Sequence, residues 1–225
     1  MAINSFARAG LPTTNFTPNA DFSNTATGTL SDSGINYKYI TFTGSGTLTV
    51  TKAGLADVLV VAGGGGGANF LSRATGGGCG EVHYVEKMFL EVAEHTVTVG
   101  AGGAGASVEA AFGNLSSIGS IAKAGRGAGA CSAYSGAAGA ARNGGGGGNG
   151  GFWDDGVQSP IGSGAGLSTW GGATLQSGRS LSITGTSVEY GIGGHTGTNA
   201  TANRGGGGFN SGNGGSGVVN IRVRV

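Results

Sequence analysis

Phe152, Trp153, Asp154 and Asp155 stand side by side after a run of glycines. Their chemistry is easily stated. An aromatic face stacks on a sugar, and carboxylates accept hydrogen bonds from its hydroxyls. Adjacent aspartates also suit a calcium ion or acid-assisted glycan cleavage. The commoner role is structural: two aspartates form a solvated turn, and the aromatics cap the block before them. Trp170 and Tyr190 carry the same two readings. These six residues form the candidate receptor-binding set. None is assigned a catalytic role, and no cofactor or metal site is expected.

Other motifs carry less. Matches to GxGxxG abound, but glycine density alone produces them, and no helix follows to meet a phosphate. The Gly-Lys-Ser/Thr of a phosphate loop is absent. His83, His95 and His195 lack metal-ligand spacing and read as solvated or incidental. Cys79 and Cys131 are expected as small buried free thiols, although their pairing stays open.

The elements that must position these residues are strands. "YITFTGSGTLTV" alternates apolar and polar residues about a Gly-Ser-Gly turn, which predicts a hairpin with Ile40 and Phe42 pointing one way and Leu48 and Val50 doing the same in its second half. "DVLVVAG" (57–63) is a continuous apolar run, as in a strand buried on both faces. "EVHYVEKMFLEV" and "HTVTVG" predict a second strand pair. "GVVNIRVRV" closes the sequence, with Val219, Ile221, Val223 and Val225 on one face. Its other face, Asn220, Arg222 and Arg224, is expected in solvent or at a subunit contact. The last strand must find partners early in the chain. No long helical period is present.

Between the strands lie glycine tracts. The chain has 53 glycines in 225 residues, more than three times the usual share of about 7%. Ordering such loops costs about 1–2 kcal/mol per residue, and few side chains are there to offset it. Backbone amides remain. A left-handed threefold helix with a rise of about 3.1 Å per residue points them sideways, and without Cβ atoms such helices pack closely on every side. Collagen is excluded because glycine has no strict period here. A layer of polyglycine-II helices is expected instead, the tract 143–151 spanning about 28 Å. Its turns would present residues 69–74, 152–160, 167–170 and 188–191 as exposed connections.

The predicted fold is therefore all-β: a β-sandwich, jelly-roll-like, with an inserted polyglycine-II layer at about 100–216. Residues 1–34, polar and holding Pro12 and Pro18, are expected as an amino-terminal attachment arm, and residues 35–225 as the glycine-rich domain. The hydrophobic share of 38% and net charge of +1 argue for order. Near-neutral charge gives no sign of a nucleic-acid partner or a membrane surface. No apolar stretch long enough to span a membrane occurs. The opening residues lack a signal-peptide core, so export by the general secretory route is not expected.

The ordered series "ITFTGSGTLTV", "ADVLVVAGGGGG", "GGGCGEV", "HTVTVGAGGAG" and "GNLSSIG" resembles a glycine-rich domain common in bacteriophage tail-fibre and other virion proteins. The likeness covers roughly 37–130 and, more loosely, "GGGGFNSGNGGSGVVNIRV". The chain is also similar in architecture to the glycine-rich tip adhesins of T-even-type phages. A further relative is the glycine-rich region of certain animal receptor tyrosine kinases, but no kinase segment is present. The phage resemblance implies a non-enzymatic virion structural protein, a tail fibre or fibre-tip adhesin that binds the host surface. Its implied partners are other virion proteins, through the 1–34 arm, and a host glycan or outer-membrane protein. A homotrimer is implied by fibre symmetry. The rival reading is a capsid decoration or head-fibre protein, and a third is an enzyme that degrades surface polysaccharide.

Overall fold

The computed structural model describes residues 18–70, 73–130, 161–162, 178–194 and 199–225. The described strands are, in chain order, β1 (Asp21–Phe22), β2 (Gly28–Asp32), β3 (Ile35–Phe42), β4 (Gly46–Lys52), β5 (Gly54–Val61), β6 (Ala68–Phe70), β7 (Arg73–Thr75), β8 (Val82–Leu90), β9 (Glu94–Thr98), β10 (Ser116–Ile118), β11 (Ala122–Ala124), β12 (Ile161–Gly162), β13 (Arg179–Leu181), β14 (Val188–Tyr190) and β15 (Val218–Arg224).

Two five-stranded antiparallel sheets dominate. The first runs β2-β3-β15-β5-β8 and the second β1-β4-β9-β10-β11. Their arrangement is that of a β-sandwich, and the reason lies in the strand patterns. Ile40, Val58, Val60, Val219, Ile221 and Val223 come from the first sheet. Leu48, Val50, Val97, Ile118 and Phe22 come from the second, and all belong to one buried cluster. Each such aliphatic side chain contributes about 1.5–3 kcal/mol when fully buried. On β5, Leu59 and Val61 are buried on the opposite face as well. They form a second cluster with Val82, Val218, Ile183 and Tyr190, because the β13–β14 hairpin lies over the outside of the first sheet. The continuous apolar run of β5 thus reflects burial on both sides.

Both expected hairpins are instead arches. β3 pairs with β2 and β15, whereas β4 pairs with β1 and β9, so the Gly44–Gly46 turn passes from one sheet to the other. Likewise β8 pairs with β5, while β9 pairs with β4 and β10. Facing each other across the core buries Ile40 and Leu48 more completely than pairing edge to edge would.

β15 does find early partners, lying between β3 and β5. On its second face Arg224 is exposed as expected, but Asn220 and Arg222 are not open to solvent. Asn220 is buried and accepts a hydrogen bond from the Thr41 hydroxyl at 2.6 Å. The Arg222 guanidinium donates twice to Asp57 Oδ2, at 3.0 and 2.7 Å, and lies over the Tyr37 ring. Burial works against this cation, but its bonds to Asp57 outweigh that and raise its pKa. Val225, expected on the apolar face, is exposed. Within the expected arm, residues 21–22 and 28–32 form β1 and β2, the latter an edge strand against β3.

Candidate functional site

The strands of both sheets run on into the glycine tracts. Segment 63–67 follows β5, and 77–81 leads into β8. Segments 100–106, 111–114, 125–130 and 212–217 adjoin β9, β10, β11 and β15. Main-chain bonds tie them together with a three-residue period. The N–H groups of Gly63 and Gly66 donate to Asn114 and Ala111. Those of Gly64 and Gly67 donate to Gly215 and Gly212, and that of Gly65 to Gly78. The carbonyls repeat the rule. Gly63 and Gly66 accept from Gly127 and Ala130, Gly64 and Gly67 from Gly103 and Ala106, and Gly65 from Gly208. Segment 63–67 therefore has six bonded neighbours, and successive residues address different ones.

Those neighbours also bond to each other in a closed ring. Gly77 and Gly80 donate to Gly208 and Gly205, and Gly78 and Glu81 to Ala128 and Gly125. Ala110 and Gly113 donate to Ala130 and Gly127, Ala111 and Asn114 to Ala104 and Ala101, and Gly214 and Gly217 to Gly103 and Gly100. Gly215 donates to Gly206, which closes the circuit. Glycine is required by space. A Cβ on Gly65 would meet the Ala128 carbonyl, and one on Gly64 the Gly206 carbonyl, closer than the 3.0 Å that real Cβ atoms keep.

A cleft of about 330 Å³ opens on the outer face of the first sheet, beside this block. Tyr39 and Thr41 enter it from β3, Asn220 from β15, Tyr190 from β14, and Asn203 and Arg204 from the following loop. Burial raises the Tyr190 phenol above its ordinary value, against the opposing influence of Arg204 and a bond to Asn220. A phenol held neutral beside a buried amide and several hydroxyls is suited to hydrogen-bonding a polar ligand.

The family model of a glycine-rich domain matches residues 41–224. The chain belongs to this glycine-rich domain family. No match is found among curated proteins.

In this glycine-rich domain, Phe152, Trp153, Asp154, Asp155 and Trp170 lie outside the described residues, as do His195, Cys131 and the tract 143–151. Tyr190 was expected on an exposed connection. Instead its ring packs with Leu59, Val61 and Val218, because Val188 and Tyr190 alternate with Glu189 and turn inward on β14. Tyr190 is only 4% exposed, although it lines the cleft. His83 and His95 lie in β8 and β9, and Cys79 is buried. Among the described residues no group of three or more His, Cys, Asp or Glu is placed to hold a metal. Sequence reasoning missed Tyr39, Asn203 and Arg204. The alternation in "VEY" was the available signal for Tyr190; nothing local marks the others.

Proposed function

We infer that the seven-segment block is a polyglycine-II bundle, and that the chain is a non-enzymatic structural protein of a bacteriophage virion. Its role is that of a tail fibre or fibre-tip adhesin, which presents recognition loops to the host surface. One observation carries the bundle: segment 63–67 bonds to six neighbours with a three-residue period. A threefold helix repeats its bonding directions every third residue, whereas a β-strand repeats every second. Such a block is packed through its main chain and so supports loops at its ends with little give. The resemblance of "ADVLVVAGGGGG" and "HTVTVGAGGAG" to virion proteins supports the rest, and fibre symmetry supports a homotrimer.

The test is attachment. Purified full-length chain is incubated with a panel of bacterial cells, and bound protein is measured. Saturable binding is expected, lost in Trp153→Ala at an unchanged unfolding midpoint. Absence of binding to every strain overturns the adhesin reading. Antibody labelling of intact particles then separates locations: label at the tail supports a fibre, and label over the head lattice supports the decoration reading instead.

A further inference from the structure

We propose that the cleft between the second sheet and the glycine block binds an anionic saccharide, one bearing a carboxylate or phosphate group. The source of that ligand rests on the host-surface reading above; the anion selectivity rests on the cleft alone. The cavity is about 740 Å³, within the range of small-molecule sites. Two cations line it, Lys123 and Arg126, and no carboxylate does.

Their placement follows from the fold. On β11, Ala122 and Ala124 turn into the core, which leaves Lys123 pointing outward. Arg126 stands at the start of the tract that continues β11, with its guanidinium 4.8 Å from the centre of the Phe112 ring. That cation–π contact holds the head group in place before any ligand arrives. Among the described residues neither cation is in an ion pair; those present join Lys38 to Asp21 and Arg222 to Asp32 and Asp57. The Glu81 carboxylate accepts the Gly125 N–H at 2.6 Å and keeps its charge, but Glu81 is not among the residues that line the cleft.

The remaining wall specifies more than an anion. Leu115 is 52% exposed, a large apolar side chain beside Val99 and Ala101. Thr98 and Asn114 add a hydroxyl and an amide. An apolar wall, neutral hydrogen-bonding groups and a cationic corner match the C–H face, hydroxyls and acid group of a charged sugar. A bare anion would use only the cations.

Isothermal titration of the full chain with glucuronate, glucose 6-phosphate, glucose and inorganic phosphate tests this. At least one charged sugar is expected to bind about tenfold or more tightly than glucose, and more tightly than inorganic phosphate. The arm that binds tells whether carboxylate or phosphate is the acid group. Lys123→Gln and Arg126→Gln should each weaken it about tenfold. Both side chains are exposed, so folding is checked by an unchanged unfolding midpoint, and Arg126→Glu serves as a second variant. The proposal is overturned if neither charged sugar binds, if glucose or inorganic phosphate binds as well, or if folded variants retain wild-type affinity. Failure here with attachment to cells intact removes the cleft and leaves the adhesin; binding here without cell attachment does the reverse.

Discussion

Replacing Gly65 with alanine adds one methyl group at the centre of the glycine block. That methyl would meet the Ala128 carbonyl and the Gly129 nitrogen, both backbone atoms, at less than 3.0 Å. Segment 125–130 has to move away. It is held by bonds from Gly78 to Ala128 at 2.8 Å, from Gly127 to Gly63 at 2.9 Å and from Gly113 to Gly127 at 3.0 Å. Stretching two of these beyond use leaves buried polar groups unpaired, at about 1–3 kcal/mol each. The opposing effect is a stiffer unfolded chain, which favours alanine by only about 0.4–1 kcal/mol. The net loss is therefore about 3 kcal/mol, a large part of a typical stability of about 5–15 kcal/mol. Gly44→Ala is the control: nothing lies within 4 Å of its added methyl, and a change within about 1 kcal/mol is expected. Urea unfolding of both variants gives the comparison. A Gly65→Ala midpoint that implies less than about 0.5 kcal/mol of destabilisation at an unchanged slope would refute the close-packed block.

Asp57→Asn should destabilise the sandwich by about 1–3 kcal/mol, between the values for exposed and fully buried pairs, because it strips the charge from the partner of a largely covered Arg222. Asparagine can still accept the Lys87 N–H that Asp57 Oδ1 now accepts at 3.1 Å, so the loss read by chemical unfolding isolates the ion pair. Asp21 predicts a pH effect. Its bond to Lys38, helped by the Phe22 N–H and opposed by burial, holds its carboxyl below the ordinary 3.8. A folded value below the unfolded one means that this stabilisation is complete above about 3.8 and is lost as pH falls through the lower folded value. Asp21→Asn should flatten the acid limb of the unfolding midpoint plotted against pH, and an unchanged limb would show the pair to be idle.

Strand identity was legible because side-chain period survives translation into three dimensions: Val219, Ile221 and Val223 alternate in the sequence and in the core. Strand pairing was not. The alternation of Ile40 and Phe42 looks the same whether the next strand lies beside them or across the core, so two arches read as hairpins. β2 escaped notice because an edge strand such as "GTLSD" carries a single large apolar residue, Leu30. Tyr190 was misplaced because aromatics beside glycine read as exposed turns until a covering hairpin is known. The glycines were legible as a structural element, but their neighbours were not, since a residue without a side chain carries no mark of what it touches. Of the candidate set, only Tyr190 falls among the described residues.

The position of β15 in mid-sheet has a kinetic consequence. Thr41 and Asn220 are bonded partners separated by 179 residues, and closing so long a loop loses entropy before any contact forms. Refolding is therefore slow, on the order of milliseconds to seconds or longer. Until residues 212–224 dock, β3 and β5 face an open slot, which an intruding strand from another molecule fits equally well. Glycine cannot nucleate early by itself, so the block and the sheet should acquire protection from amide exchange together, in a single late phase.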